Sequence, residues 1–169
     1  VTALLLGALL LASGPGPPDA LSRESLRNTD YPSAWAPSGR VRLHDGRHRE
    51  PAAPGSASEI RVWLLDQLAR WRVSGRRYAA VVLATDPGGS GTFYELVAVE
   101  DRGGRPVAVA RAELGDRVRV QSLSVAQGTG PPIIRLDLVV PGPDEPLCCP
   151  TQLAVRRFAW RAGALVPVR

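Results

Sequence analysis

The chain has no lysine and no methionine, one asparagine, and two cysteines among its 169 residues. Each scarcity excludes something. Without lysine there is no nucleotide-type phosphate loop, which closes on a Lys, and all positive side-chain charge is arginine. Two cysteines cannot build a disulfide framework, and because they are neighbours they lack the two-residue spacing of a Cys-x-x-Cys redox motif. Long apolar runs are missing too. The run Ala3 to Ala12 falls well short of the roughly 18 residues a membrane-spanning helix needs.

What is abundant is arginine, alanine, glycine and proline. The 21 arginines outnumber the 16 acidic residues, for a formal charge of +5. That balance invites nucleic acid or an anionic surface as partner. The arginines are scattered, however, apart from the pairs Arg76-Arg77 and Arg156-Arg157, and this residue usage is that of a GC-rich genome. Nucleic-acid binding is therefore not expected.

The opening "VTALLLGALLLASGPGPPDALS" has the layout of a secretory signal, an apolar run followed by small residues. We read residues 1–20 as a signal peptide, with Val1 as a non-standard start or the edge of a truncated record. A buried N-terminal helix is the alternative. Gly14 stands where a lipoprotein signal needs Cys. The expected location is extracytoplasmic, periplasmic or secreted, without a lipid anchor and without a transmembrane span once the signal is removed. Residues 21–40 are rich in Pro, Ser and Gly and read as a tether, with one helical turn around Ser22 to Arg27 and with Trp35 free to dock on the domain or on a partner.

Residues 41–169 are expected to form a single β-rich domain. Alternating or continuous apolar runs mark strands at 59–66, 78–86, 92–101, 105–114, 116–125, 133–140 and 151–160. The short connections require antiparallel pairing. "EDRGGRP" is the clearest hairpin, with Gly103-Gly104 supplying positive φ, and the alternation in "DRVRVQSLSV" slips near Gln121, where a bulge is expected. Leu64, Leu68 and Trp71 recur at helical spacing, so 64–75 is either a short helix or a strand, loop and strand. The fold class is mainly β, a single antiparallel meander or partly closed barrel with room for one short helix.

Three segments, "LHDGRHREPAAPGSAS", "AAVVLATDPGGSGTFYELVAVEDRGGRPVAVARAELGDRVRVQSLSV" and "PGPDEPLCCPTQLAVRRFAW", resemble a family of uncharacterised bacterial exported proteins and lipoproteins. That family is marked by an L-x-D-G element, a GGSGTF loop, a GDR strand entry and a CCPT close. The resemblance covers roughly residues 41–160. It implies an extracytoplasmic location and no known activity. Family members often carry an Asp/Gly-rich, calcium-loop-like turn before the "AAVVL" strand. Here that place is taken by Gly75, Arg76 and Arg77, which cannot supply the oxygens, so calcium binding does not carry over.

Two loops are richest in unusual backbone chemistry. The first holds Gly88, Gly89, Ser90, Gly91 and Thr92, whose simplest reading is a tight Gly-rich turn. Its amides could instead form an anion nest, and Ser90 could act as a hydrolase nucleophile only if His44 or His48, both earlier in the chain, folded back onto it. His44, Asp45 and His48 could also hold a transition metal, but Asp45-Gly46 is turn chemistry and an exposed turn is the favoured account. No metal or other cofactor is expected. Trp63, Trp71 and Trp160 read as packing residues.

The second loop holds Cys148 and Cys149 between Pro146 and Pro150. Neighbouring side chains on an extended segment point to opposite faces, which disfavours a shared metal. Export favours oxidation, and the only intrachain option is a vicinal disulfide. Disulfides hold Cα atoms at least about 4.4 Å apart, against about 3.8 Å for neighbours, so such a ring is strained and readily reduced. Two buried thiols, or a redox-active or intermolecular pair, are the alternatives. The expected function is a non-enzymatic binding or envelope-associated module using these two loops, with an unknown small ligand or envelope component as partner. Thiol–disulfide redox chemistry at the Cys pair is the alternative, and a Ser hydrolase stands third.

Overall fold

The computed structural model describes residues 19–146 and 148–168. The apolar run read as a signal lies outside the described residues. Asp19 and Ala20, at its expected end, belong to a docked N-terminal segment.

That segment contains α1 (Arg23–Arg27) and a two-stranded ribbon of β1 (Asp30–Pro32) and β2 (Arg40–Arg42). Then come β3 (Arg47–Pro51), β4 (Glu59–Val73), β5 (Arg76–Asp86), β6 (Phe93–Asp101) and β7 (Pro106–Asp116), which form a five-stranded sheet in chain order. A second, four-stranded sheet takes β8 (Arg119–Ala126), β9 (Ile133–Val140), β10 (Gln152–Arg161) and β11 (Ala164–Val168), also in chain order. All these pairings are antiparallel. The fold is the mainly β, antiparallel architecture expected from the sequence, with one short helix at the expected turn.

The unbroken apolar run of β5 reflects its place at the centre of the larger sheet, buried on both faces. Tyr78, Ala80 and Val82 point to the four-stranded sheet, where they meet Ile134, Leu136, Leu138 and Phe158. Ala79, Val81 and Leu83 point the other way, to Leu21, Leu26, Tyr31, Val41 and Leu43. Residues 21–40, whose composition suggests a tether, thus supply much of the cover for the sheet's outer face. Leu21, Leu26, Tyr31 and Ala36 are the apolar side chains that they bury, whereas Trp35 stays exposed. Ser22 caps α1 by accepting the Ser25 N–H at 3.1 Å, the Tyr31 hydroxyl donates to the Leu26 carbonyl at 2.8 Å, and Arg70 donates to the Leu21 carbonyl at 2.7 Å.

Residues 64–73 are strand, not helix, and Ser74 and Gly75 form the turn that follows. Leu64 and Leu68 pack on the outer face, whereas Trp71 packs on the inner one. Between Leu64 and Leu68 the strand advances four residues while its partner advances two, from Leu83 to Val81. That irregularity adds two residues to β4 and leaves its parity unchanged, so Leu64 and Leu68, four apart, share a face as they would in a regular strand. Another register shift falls between Val120 and Ser122, where the broken alternation places it.

The chain crosses between sheets at Asp116-Arg117, with Arg117 at φ 48°. No barrel closes. The seam between β4 and β8 is stitched by side chains, with Gln67 donating to the Val120 carbonyl at 3.0 Å and Gln127 to the Arg72 carbonyl at 3.0 Å. Across the other seam, Arg156 of β10 donates to the Leu114 carbonyl of β7 at 2.7 Å. Inside lie Trp71, Tyr78 and Trp160, with ring centroids 5.0–5.4 Å apart. All three are buried, so Trp71 and Trp160 are packing residues.

Candidate functional site

Four connections converge on one end of the two sheets. The register places Pro51 beside Glu59, Arg61 beside Asp86, Phe93 beside Asp116, Arg119 beside Val139 and Gln152 beside Val140. Hence the segments 52–58, 86–92, 117–118 and 141–151 share that end. The Gly88–Gly91 loop and the Cys pair are on the same side of the molecule.

The sheet crossover joins them. Asp116 accepts the Thr92 N–H at 2.8 Å, the Arg117 N–H donates to the Thr92 carbonyl at 2.7 Å, and Arg119 donates to the Pro150 carbonyl at 3.0 Å. One short stretch therefore touches the Gly-rich loop through its first two residues and the Cys loop through Arg119. Its Gly-Asp-Arg run is visible in the sequence only as a strand entry. Its part as a clasp comes from the third dimension.

In the Gly-rich loop, Gly88 has φ 88°, and a Cβ there would sit 3.0 Å from the Glu59 carbonyl. Glycine is needed on both counts. The Gly88 N–H is held by the Asp86 carboxylate at 2.9 Å, and that of Thr92 by Asp116, so these two amides are unavailable to an external anion. Gly89 and Ser90 are exposed, and no hydrogen bond among the described residues joins Ser90 to either histidine. The nucleophile reading of Ser90 thus draws no support from a histidine contact. Beside the loop, Trp35 stacks on Phe93 with ring centroids 4.6 Å apart. A Cβ on Gly91 would lie 3.0 Å from the Phe93 ring and 3.2 Å from Asp116.

The cysteine loop is closed by one carboxylate. Glu145 accepts the Gly142 N–H at 3.0 Å, the Thr151 N–H at 3.0 Å and the Thr151 hydroxyl. These bonds, the Thr151 hydroxyl foremost, hold its carboxyl below the usual range. Cys149 N–H donates to the Pro146 carbonyl at 3.1 Å. Cys148 and Cys149 are free, exposed thiols, so the expected disulfide is not formed and the buried alternative does not describe them either. Extended geometry implied divergent side chains, but the turn brings the two Sγ atoms to 2.7 Å. Hydrogen bonding with Cys148 pushes the Cys149 thiol up.

His44 and Arg47 close a two-residue turn over Asp45 (φ 49°) and Gly46 (φ 77°). Asp45 is taken by the Arg27 guanidinium at 2.8 Å, and His48 Nδ1 donates to the Arg42 carbonyl at 3.0 Å. Among the described residues no three His, Cys, Asp or Glu side chains group as a metal site, and no helix is long and apolar enough to cross a membrane. Comparison with known proteins gives no match: no family model, no curated protein and no solved structure matches the chain.

Proposed function

We propose that this chain is a non-enzymatic, extracytoplasmic binding or envelope-associated module that takes its ligand, a small molecule or an envelope component, at the loop-bearing end. The observation that carries this reading is the joining of two specialised loops by the segment Asp116 to Arg119, since binding residues gather on loops held by a rigid scaffold. Gly88, Gly89, Ser90, Gly91, Thr92, Cys148 and Cys149 are the residues assigned to the surface. A photocrosslinker at Ser90, with a control at Ser74 in the turn at the opposite end, tests it against an isolated bacterial envelope fraction. Adducts from position 90 alone support the reading, and equal adducts from both positions reject it. Recovery of the chain from an extracytoplasmic fraction, with its intact mass, tests export and signal removal.

A second reading, thiol–disulfide exchange, is favoured by the exposure and proximity of the two thiols. Cys148 and Cys149 would each give up a hydrogen to a disulfide substrate, which leaves as two thiols, while a vicinal Cys148–Cys149 bond forms. Glutathione disulfide is the test oxidant. A monomer lighter by two hydrogens, with no alkylatable thiol until reduction, supports it. Two thiols that stay alkylatable exclude it.

A further inference from the structure

The outer face of β3 carries two polar atoms that the fold turns toward each other with no hydrogen between them. His48 and Glu50 alternate on this strand and stand opposite Val62 and Ile60 of β4, which belong to the apolar cluster beneath the N-terminal cover. His48 Nδ1 lies 3.0 Å from the Arg42 carbonyl, and a carbonyl only accepts, so a neutral ring carries its proton on Nδ1. Nε2 is then an acceptor. It faces Glu50 Oε1, a second acceptor, at 3.5 Å. Both atoms are buried, and neither has a hydrogen-bond partner. Turning the ring over does not resolve the conflict, because it takes Nδ1 away from the carbonyl. Buried acceptors left unpaired cost free energy, and a single proton on Nε2 turns this contact into a charge-assisted bond.

We propose that His48 and Glu50 form a one-proton latch, in which protonation of the imidazole ties β3 to β2 and so tightens the N-terminal cover. The protonated ring donates twice, from Nδ1 to the Arg42 carbonyl and from Nε2 to Glu50, and it thereby spans the join between cover and sheet. Opposite the pair, Val62 and Ile60 carry no charge. On β2 the Arg42 guanidinium is taken by Asp30 of β1 at 2.9 Å, and in the turn before β3 Asp45 is taken by Arg27. Arg47, Arg49 and Arg61 border a groove that His48 also lines, and their charge opposes a further cation. Glu59, 3.6 Å from Arg49 and 3.7 Å from Arg61, offsets two of them. Glu50 has no ion-pair partner except His48 among the described residues. Because the docked form takes up the proton more readily than the undocked one, its hold grows as pH falls and is lost as pH rises. The inference does not rest on the loop end being a binding surface.

Imidazole nitrogen NMR of the full chain, together with amide exchange, tests it between about pH 5 and 8, the range in which an imidazole ordinarily changes charge. At the alkaline end His48 is expected as the Nδ1–H tautomer. The reporter is the Leu43 amide, which donates to the Thr29 carbonyl at 3.0 Å within the cover. On acidification its protection, corrected for intrinsic exchange, should rise by roughly tenfold or more, the usual worth of a hydrogen bond to a charged group. Glu50→Gln brings its own donor to Nε2, so it should protect this amide firmly across the range and erase the gain. His48→Phe should also erase the gain, with the amide weakly protected throughout. His44→Gln, in the exposed turn, should keep the response of the unaltered chain. The proposal is overturned by an Nε2–H tautomer at the alkaline end, by absence of the gain in the unaltered chain, by a gain that survives Glu50→Gln, or by its equal loss in His44→Gln.

Discussion

Glu145 and Thr151 are bound twice, the carboxylate accepting both the amide and the hydroxyl of the threonine. This pair fixes the two ends of the loop that carries the cysteines. Because the folded carboxyl lies below its ordinary value, the closure is complete above the unfolded pKa of about 4.3 and is lost as pH falls through the folded one. Amide resonances of Gly142 and Thr151 should move together in that acid window. Glu145→Gln should abolish the titration and raise amide exchange at both positions at neutral pH. Unaltered exchange would count against the clamp.

The two faces of β6 give carboxylates of opposite behaviour. Burial pushes the Glu95 carboxyl up, against the opposing pull of Arg111, whereas hydrogen bonds from Arg102 and then Arg76 hold Glu100 down. A raised carboxyl penalises the fold above its folded pKa, and the penalty fades as pH drops. A depressed one does the reverse. Glu95→Gln should therefore leave the urea midpoint at pH 7 unchanged or higher, and Glu100→Gln should lower it. At a pH below both folded values the two differences should shrink toward zero.

Tyr31 is fully buried beneath the five-stranded sheet. Tyr31→Ala should cost about 3–5 kcal/mol, the usual loss for a large aromatic in a core, read as a fall in the urea midpoint with an unchanged slope. A loose tether at this position would tolerate the change without effect.

Gly91→Ala should displace the Phe93 ring, because the new methyl would meet it at 3.0 Å. The expected cost is about 1–3 kcal/mol, as for other overpacked sites. It should come with altered tryptophan fluorescence as Trp35 loses its stacking partner. Gly89→Ala, where no atom lies within 4 Å of the new methyl, is the control and should be silent.

Strands β4 to β10 were legible because their apolar periodicity survives in the sequence, whereas the short β1, β2 and β3 carry too few apolar residues to show one. The bulge at Gln121 and the Gly103-Gly104 turn were legible for the same local reason. The docking of residues 21–40 was not, since Pro, Ser and Gly are frequent among them and the buried minority, such as Leu21, Leu26 and Tyr31, forms no periodic pattern. Strand β11 escaped notice because "ALVPV" holds a proline, tolerated here on an edge strand. The proximity of the two thiols was unreadable from spacing, which implies divergent side chains until the turn is known.

The cover over the outer face of the five-stranded sheet has a consequence for how the chain comes into being. Leu21 through Leu43 precede every strand of that sheet, so during synthesis the cover is present before the surface it protects. A truncated chain beginning after Val41 would instead complete its strands with a bare apolar sheet face toward water. Such a face invites sticking to a second copy, so this stretch guards solubility during assembly as well as the finished fold.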